Sequence, residues 1–451
     1  MRIFKNKLFL FTPIVAIIII SLLATAFYPA YNPKPKAMPV AIVNLDKGIK
    51  IGDKSQNIGK TFVDKVSSNK DITDKVKFIN INTEDALADG FKEGKYYGAF
   101  VISEHFSEDA TSAMRKQIQT TKMKEAQDKA AAAKQNIQTK VASGEITLQQ
   151  AQAISAEMKQ KAQDQIAQNK EALQPIEVKQ GNLKIIINQG ASTQASQITD
   201  TMLTKFSTTL NDTIRDNALK QFADMNISLS GKDIKAVTNP VHTEHKIINK
   251  LKDNQAMGNA PMLLFTPIWL GSLITSVMLY FAFRQSNLSG KKNRFIGSLG
   301  QITAALITAI FGGFIAINYV THILGLDVSQ PLNVSIYISI AMFGFIMLIL
   351  GLMSVLGMRA VPLFMLALFF SMQLLIMPKE MLPKFYQTYI IGWNPFRLYA
   401  DGLRELIYLN QPLTFNTPMQ MYLGLAIVGI ILIITASQVK KHVGKRTEIP
   451  A

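Results

Sequence analysis

Six apolar runs constrain this chain more than anything else in it: Leu8–Phe27, Met262–Phe283, Phe295–Val320, Ser335–Gly357, Val361–Met377 and Met421–Ser437. None of them contains Lys, Arg, Asp, Glu or His. A hydrocarbon core of about 30 Å needs roughly 20 apolar residues as helix. Helices also satisfy their own backbone groups where no water is present to do so. The fifth and sixth runs are the shortest and need either little tilt or help from flanking residues. The chain therefore reads as a multi-pass α-helical membrane protein of about six spans, arranged one plus five. A large polar insert, residues 29–260, lies between the first span and the second.

Basic residues in short loops set the orientation. Arg2, Lys5 and Lys7 precede the first run, and Arg284, Lys291, Lys292 and Arg294 follow the second with no acid among them. Arg359 falls in the turn between the fourth and fifth runs, and Lys440, Lys441, Lys445 and Arg446 lie in the tail. Thr321–Val334, on the other side, carries Asp327 as its only formal charge. Both termini are thus expected in the cytoplasm and the insert outside the cell. Most of the net charge of +17 falls on the segments read as internal, so it needs no nucleic-acid partner. Ala24-Thr25-Ala26 after a basic start also resembles a signal-peptide cleavage site. The apolar run there exceeds the usual h-region of about 7–15 residues, which favours a retained helix.

The domain plan that follows is a cytoplasmic tip and first span (1–28), an extracytoplasmic α/β unit (29–106), an extracytoplasmic helical region (107–260), and a five-helix membrane domain with a cytoplasmic tail (261–451). Val40-Ala41-Ile42-Val43-Asn44, Val76–Ile81 and Tyr96–Ile102 suit buried strands, while Glu84–Lys92, stopped by Gly94, suits a helix. Ser107–Gln174 is rich in Ala, Gln and Lys and is divided at Ser143-Gly144, which predicts a helical hairpin. Its second arm has a stripe at Leu148, Ala151, Ile154, Met158, Ala162 and Ile166. Each arm would reach roughly 40–50 Å at 1.5 Å per residue. A third helical stretch, about Thr193–Phe222, is expected to pack against it.

Catalytic and metal chemistry are hard to place. Cysteine is absent, which removes disulfides, thiolate zinc sites and cysteine nucleophiles. His242 and His245 stand three apart, but no third ligand is evident. Gly59-Lys60-Thr61 looks like the end of a phosphate-binding loop, yet the position of the required first glycine is Lys54. Asp85, Asp89 and Glu93 recur every four residues and read as a solvated helix face. No catalytic residue, metal site or cofactor is therefore expected. The apolar runs also lack the ionisable residues that proton- and ion-coupled carriers place in the bilayer. Gln301, Asn318 and Gln373 are better explained by hydrogen bonds between helices, and Gly344 and Gly351 by close helix packing.

Two stretches carry a resemblance. Val40–Gly48, with Gly94–Ile102 and Phe106-Ser107, resembles the start of the YhgE/Pip family, which includes the phage infection proteins of Gram-positive bacteria. Pro378–Phe385, followed by Asn394-Pro395-Phe396-Arg397-Leu398-Tyr399-Ala400-Asp401-Gly402-Leu403-Arg404, looks like the re-entrant segment of type-2 ABC exporter permeases. That resemblance implies a homodimer in the lipid bilayer of a Gram-positive cell membrane, served by a separate cytoplasmic ABC ATPase. The ATPase would meet Arg284, Lys291, Lys292 and Arg294, although the positive-inside rule explains those charges without any partner. It also implies that Pro378–Leu409 dips into the outer leaflet and narrows the exit, with Pro378, Glu380, Pro383, Asn394, Pro395 and Arg404 as its motif residues. The prolines break helices, Phe385, Tyr386, Trp393 and Tyr399 suit the membrane interface, and Arg404 needs an acid such as Glu405 or Asp401, or a lipid headgroup. The function implied is outward movement of a hydrophobic or amphipathic substrate. A second reading, from another class, is a non-transporting surface scaffold or receptor: a secretion-system component or a phage receptor.

Overall fold

Val40-Ala41-Ile42-Val43 forms an interior strand of a five-stranded sheet, with three of its four side chains fully buried. The computed structural model describes residues 35–51, 54–168, 174–229 and 231–439. The first apolar run, the basic N-terminal tip and the basic tail lie outside the described residues. The sheet strands are β1 (Met38–Asn44), β2 (Val76–Asn80), β3 (Gly98–Ile102), β4 (Gly181–Asn188) and β5 (Val241–Ile248), in the order β2-β1-β3-β4-β5. β2, β1 and β3 are parallel, β4 runs antiparallel to β3, and β5 is parallel to β4. Register is marked by Val40 opposite Gly98 and Gly98 opposite Ile187.

Alternation across β1 sends Val40 and Ile42 to one face and Ala41 and Val43 to the other. Helices α1 (Ile58–Ser68), α3 (Phe106–Ala142) and α5 (Thr193–Asp224) cover the first face, and α2 (Glu84–Lys92) covers the second through Leu87 and Phe91. The α/β unit is thus larger than its predicted segment. Residues 107–260, expected to be helical, contribute β4 and β5 to the same sheet. Ile185-Ile186-Ile187 had the apolar run of a buried strand, while β5 is a mostly exposed edge whose His242, Glu244 and Lys246 conceal it.

The predicted hairpin is α3 with α4 (Leu148–Gln168). Leu148, Ile154 and Met158 of the expected stripe are exposed, and Ala151 is its one buried member among the described side chains. Only the base of α3 is held firmly. There Met114 packs against Ala218 and Phe222 of α5 and Val237 of α6 (Gly231–Thr238).

Among the described residues four helical stretches are long and apolar enough to cross a membrane: Ala260–Gln285, Lys291–His322, Pro331–Ile376 and Thr417–Val439. We label the first two α7 and α8 and the last α13. The third stretch has 46 residues, about 70 Å at 1.5 Å per residue, far more than one crossing. Gly357, with φ 67°, breaks it into α9 (Pro331–Leu356) and α10 (Ala360–Ile376). The chain doubles back there. A methyl group on Gly357 would sit 3.3 Å from the Tyr280 hydroxyl near the end of α7, whereas Phe364 of α10 already meets Trp269, two to three turns earlier in α7.

Side chains on the outer faces of these helices, including Ile274, Met278, Phe311, Ile315 and Ile427, are exposed and apolar. Inside, an aromatic cluster of Phe265, Trp269, Tyr337, Phe345, Tyr399 and Tyr422 is almost completely buried. Polar side chains in the bundle bond to backbone: Gln301 donates to Leu279 O of the neighbouring α7 at 2.9 Å, and Asn318 to Phe314 O of its own helix at 2.8 Å. Among the described residues every charged side chain in the bundle lies at a helix end, in a connecting turn or in the segment after α10.

Candidate functional site

Helix α10 ends at Ile376 because Pro378 follows two residues later, and the residue before a proline is driven out of the helical region. Met377 is accordingly extended, with ψ 139°. A 3₁₀ turn (Lys379–Met381), Pro383 and a short helix α11 (Lys384–Tyr389) lead to Asn394, which starts α12 (Pro395–Ile407). Asn394 is an N-cap: its Oδ1 accepts from Phe396 N and Arg397 N, both at 3.0 Å, and its Nδ2 donates to Ser371 Oγ at 3.0 Å. Pro395 occupies the first turn, where its missing N–H costs nothing.

The N-terminus of α12 is sunk into the bundle. Phe396 meets Trp269 at a ring distance of 4.5 Å, nine residues and thus about 13 Å along α7 from its first residue. At the other end Tyr408 donates its hydroxyl to Gln255 O and accepts from Ala260 N, the first residue of α7, each at 3.0 Å. Tyr337 of α9 donates to Leu398 O at 3.0 Å, and Tyr422 of α13 to Pro395 O at 2.7 Å. Helix α12 therefore descends into the bundle at one end and returns to its rim at the other.

Two arginines hold that position. Arg397, with its side chain 8% exposed, donates to Leu374 O (2.8 Å), Met377 O (2.6 Å) and Asp401 Oδ2 (2.9 Å). A cation thus lies on the C-terminal carbonyls of α10, the favourable end of its dipole. Arg404 donates to Asp401 Oδ1 at 3.1 Å and to Leu375 O at 3.4 Å, so the acid it required is Asp401. Glu405 instead accepts from Asn416. Glu380 faces the sheet domain: its carboxylate accepts from the Tyr97 hydroxyl at 2.7 Å and its carbonyl from Lys36 N at 3.0 Å. Burial first, and the Glu380 carboxylate second, hold the Tyr97 phenol well above its ordinary value.

Beside Asn394 lies a cavity of about 440 Å³ between α7, α10 and α11, lined by Trp269, Phe364, Phe370, Tyr386, Trp393 and Phe396, among others. Phe385 and Trp393 are exposed, as an interface residue should be. Tyr399, expected at the interface, is instead fully buried against Phe265 and Phe345, because it lies on the inward face of an amphipathic helix.

The predicted basic loop lies at the opposite end of the bundle. Arg284 donates to the Tyr280 hydroxyl at 3.1 Å, and Gln438 of α13 donates to Lys291 O at 3.3 Å. Lys291, Lys292 and Arg359 are exposed there and Arg294 is half-buried. The structure thus separates the two predicted site groups, with Pro378, Glu380, Pro383, Asn394, Pro395 and Arg404 at one end and Arg284, Lys291, Lys292 and Arg294 at the other. Sequence reasoning weighted Arg404 and passed over Arg397, the more buried of the two. The signal was its spacing, three after the Asn394 cap and four before Asp401.

The remaining motifs resolve as structure. Asp46, 8% exposed, accepts from Gly48 N, Gly59 N and Ser107 N at 3.0–3.1 Å and from Ser107 Oγ at 2.5 Å. It ties β1 to the first turns of α1 and α3, which is why Asn-Leu-Asp-Lys-Gly and Phe-Ser occur together. Gly59 is no phosphate loop: the protein's own carboxylate occupies that helix N-terminus. His242 and His245 fall on opposite faces of β5, and no cluster of three metal-ligating side chains occurs among the described residues.

No curated protein and no solved structure matches this chain significantly. A family model described as "ABC-2 family transporter protein" matches residues 7–437, a span that includes the sheet domain, the apolar helices and the buried α12. The chain is a membrane-embedded, multi-pass permease-type member of the ABC-2 transporter family.

Proposed function

We propose that this chain is the membrane half of an exporter that moves a hydrophobic or amphipathic substrate outward, driven by a separate ATPase. The observation that carries the reading is α12, a short helix sunk into the bundle beside an apolar cavity and pinned through Arg397 to the end of α10. A helix so placed can narrow or widen a path at that end without breaking a span. Basic residues at the other end offer a docking surface for a soluble subunit whose nucleotide cycle supplies the energy. Within the family, the Val40–Gly48 and Phe106-Ser107 motifs favour the YhgE/Pip group of Gram-positive bacteria. The remaining parts of the reading are six spans, both termini in the cytoplasm, the sheet domain outside and a homodimer.

Affinity purification from the native membrane in mild detergent tests it. A stoichiometric ATPase is expected to co-purify and to be lost when Lys291, Lys292 and Arg294 are replaced by Glu. Full transport by the isolated chain without nucleotide would overturn the reading. The hairpin α3–α4 keeps a scaffold or receptor role in play, because Leu148, Met158 and Met123 are exposed along it. Deleting residues 120–172 separates the two: export that survives while a surface partner is lost favours the scaffold.

A further inference from the structure

The sheet domain holds a second, larger cavity that the exporter reading does not use. It has a volume of about 590 Å³ and lies between α1 and α5, over the base of α3. Its walls include Ile58, Phe62, Met202, Phe206 and Ile214. Four of these, Ile58, Phe62, Met202 and Phe206, are only half-buried although they pack against the sheet's main core. Phe62 stacks on Phe100 at 5.7 Å and Phe206 leans on Phe78 at 6.2 Å, so both rings are braced from the core side and open toward the cavity. The fold thus leaves large apolar surface uncovered at a site it holds rigidly.

The charges around this space are one-sided. Lys65, Lys75 and Lys205 line it from α1, the start of β2 and α5, against Asp71 as the single acid. None of these lysines is in an ion pair among the described residues. The volume falls within the roughly 300–1,000 Å³ of small-molecule sites. It holds about one turn of an α-helix, too little for helix-in-groove docking, which uses anchors over two turns.

We propose that this cavity binds a single-chain amphipathic anion of the fatty-acid type, with the chain between Phe62 and Phe206 and the head group among Lys65, Lys75 and Lys205. Each methylene removed from water adds to the affinity, and the lysines select the charged head. The assignment stands apart from the exporter reading, because binding is measured without nucleotide or ATPase.

The test uses the full chain in phosphatidylcholine nanodiscs with a fatty acid carrying a terminal diazirine. Irradiation followed by peptide mapping is expected to label residues 58–75 and 202–217, and excess dodecanoate to suppress that labelling. The exposed pair Lys65→Glu and Lys205→Glu is expected to lower labelling there by about tenfold or more, the worth of one lost charge-assisted contact. Thr209→Trp, which places an indole in the cavity, lowers it with the lysines intact. Labelling of α7–α13 by probe dissolved in the bilayer serves as the loading control, and hydrogen exchange of β3 and β4 verifies that each variant is folded. Labelling confined to the membrane helices, or undiminished in both folded variants, overturns the site. Competition by dodecanol equal to that by dodecanoate overturns the anionic head.

Discussion

Two carboxylates account for most of what the motifs mean, Asp46 buried and Asp401 half-buried, and each accepts from several donors. Asp46 receives four hydrogen bonds, one from Gly48 beside it and three from two segments distant in sequence. Asp46→Ala should loosen the first turns of α1 and α3 by about 3 kcal/mol, since contacts to a charged acceptor are worth about 1.5–3 kcal/mol each and are not additive. Hydrogen exchange at residues 58–62 and 107–111 reads this directly. Unchanged protection would mean that Asp46 merely accompanies the fold. Asp401 plays the same part in the bundle, shared by Arg397 and Arg404. Arg397→Leu should cost about 1.5–3 kcal/mol, the worth of a hydrogen bond to a charged group, and more than Arg404→Leu, because it also strips two donors from the end of α10. Thermal unfolding of the two variants in nanodiscs ranks them, and the reverse order would contradict the geometry. Tyr97 has a pH signature. Its phenol is held well above the ordinary 10.0 in the docked state, so docking on Glu380 binds the proton more tightly than the undocked chain does. That stability is fully present below about pH 10 and falls as pH rises through the folded value. Exchange at residues 378–390 should therefore quicken above about pH 10 in the wild type, and Tyr97→Phe should remove that alkaline step.

At the scale of elements, α9 and α13 touch backbone to backbone. A Cβ on Gly344 would lie 2.8 Å from Tyr422 O, one on Gly351 2.9 Å from Gly429 Cα, and one on Gly429 2.2 Å from Met347 O. Without a hydrophobic driving force between helices in lipid, such close packing is what holds them together. Gly429→Leu should push the pair apart and lower the melting temperature well beyond the effect of Gly424→Leu, whose Cβ meets nothing within 4 Å. Equal effects would remove the seam as an organising contact. The glycine spacing was legible in the sequence, and so were α2, the first three strands of the sheet and the apolar helices. The edge strand β5 was not. It is stabilised by pairing with β4 rather than by an apolar face of its own, and its polar residues hide it. The hairpin of α3 and α4 is the reverse case, plain in composition but poor in contacts. Replacing residues 120–172 by a short linker should leave exchange in β1, β3 and β4 unchanged.

For the whole molecule, the sheet domain rests on the end of the bundle where α7 begins. Gln411 donates to Lys92 O at 2.6 Å, and Ile198 packs against Met381 and Leu382 beside the Tyr97–Glu380 contact. The segment that carries α12 is thus in direct touch with the domain above it, so movement in either reaches the other. The proposed orientation is testable in a chain that has no cysteine. Single replacements Ser289→Cys and Ser329→Cys lie in exposed turns at opposite ends of the bundle. A membrane-impermeant maleimide should label the second in intact cells and the first only after permeabilisation.

Among the described residues, each apolar run read from the sequence lies within a helix or within a residue or two of one, and the helices extend up to four residues beyond it. Spanning a bilayer is a local demand, about twenty residues without charge, and a linear chain displays it openly. It likewise displayed the helix-breaking prolines Pro378, Pro383 and Pro395. The assembled fold alone reveals that β4 and β5 complete the sheet, that Arg397 joins Arg404 on the end of α10, that Tyr399 is core, and that three lysines surround an apolar cavity. Each of those depends on groups brought together from distant positions, and periodicity within one segment carries no record of what will lie opposite it.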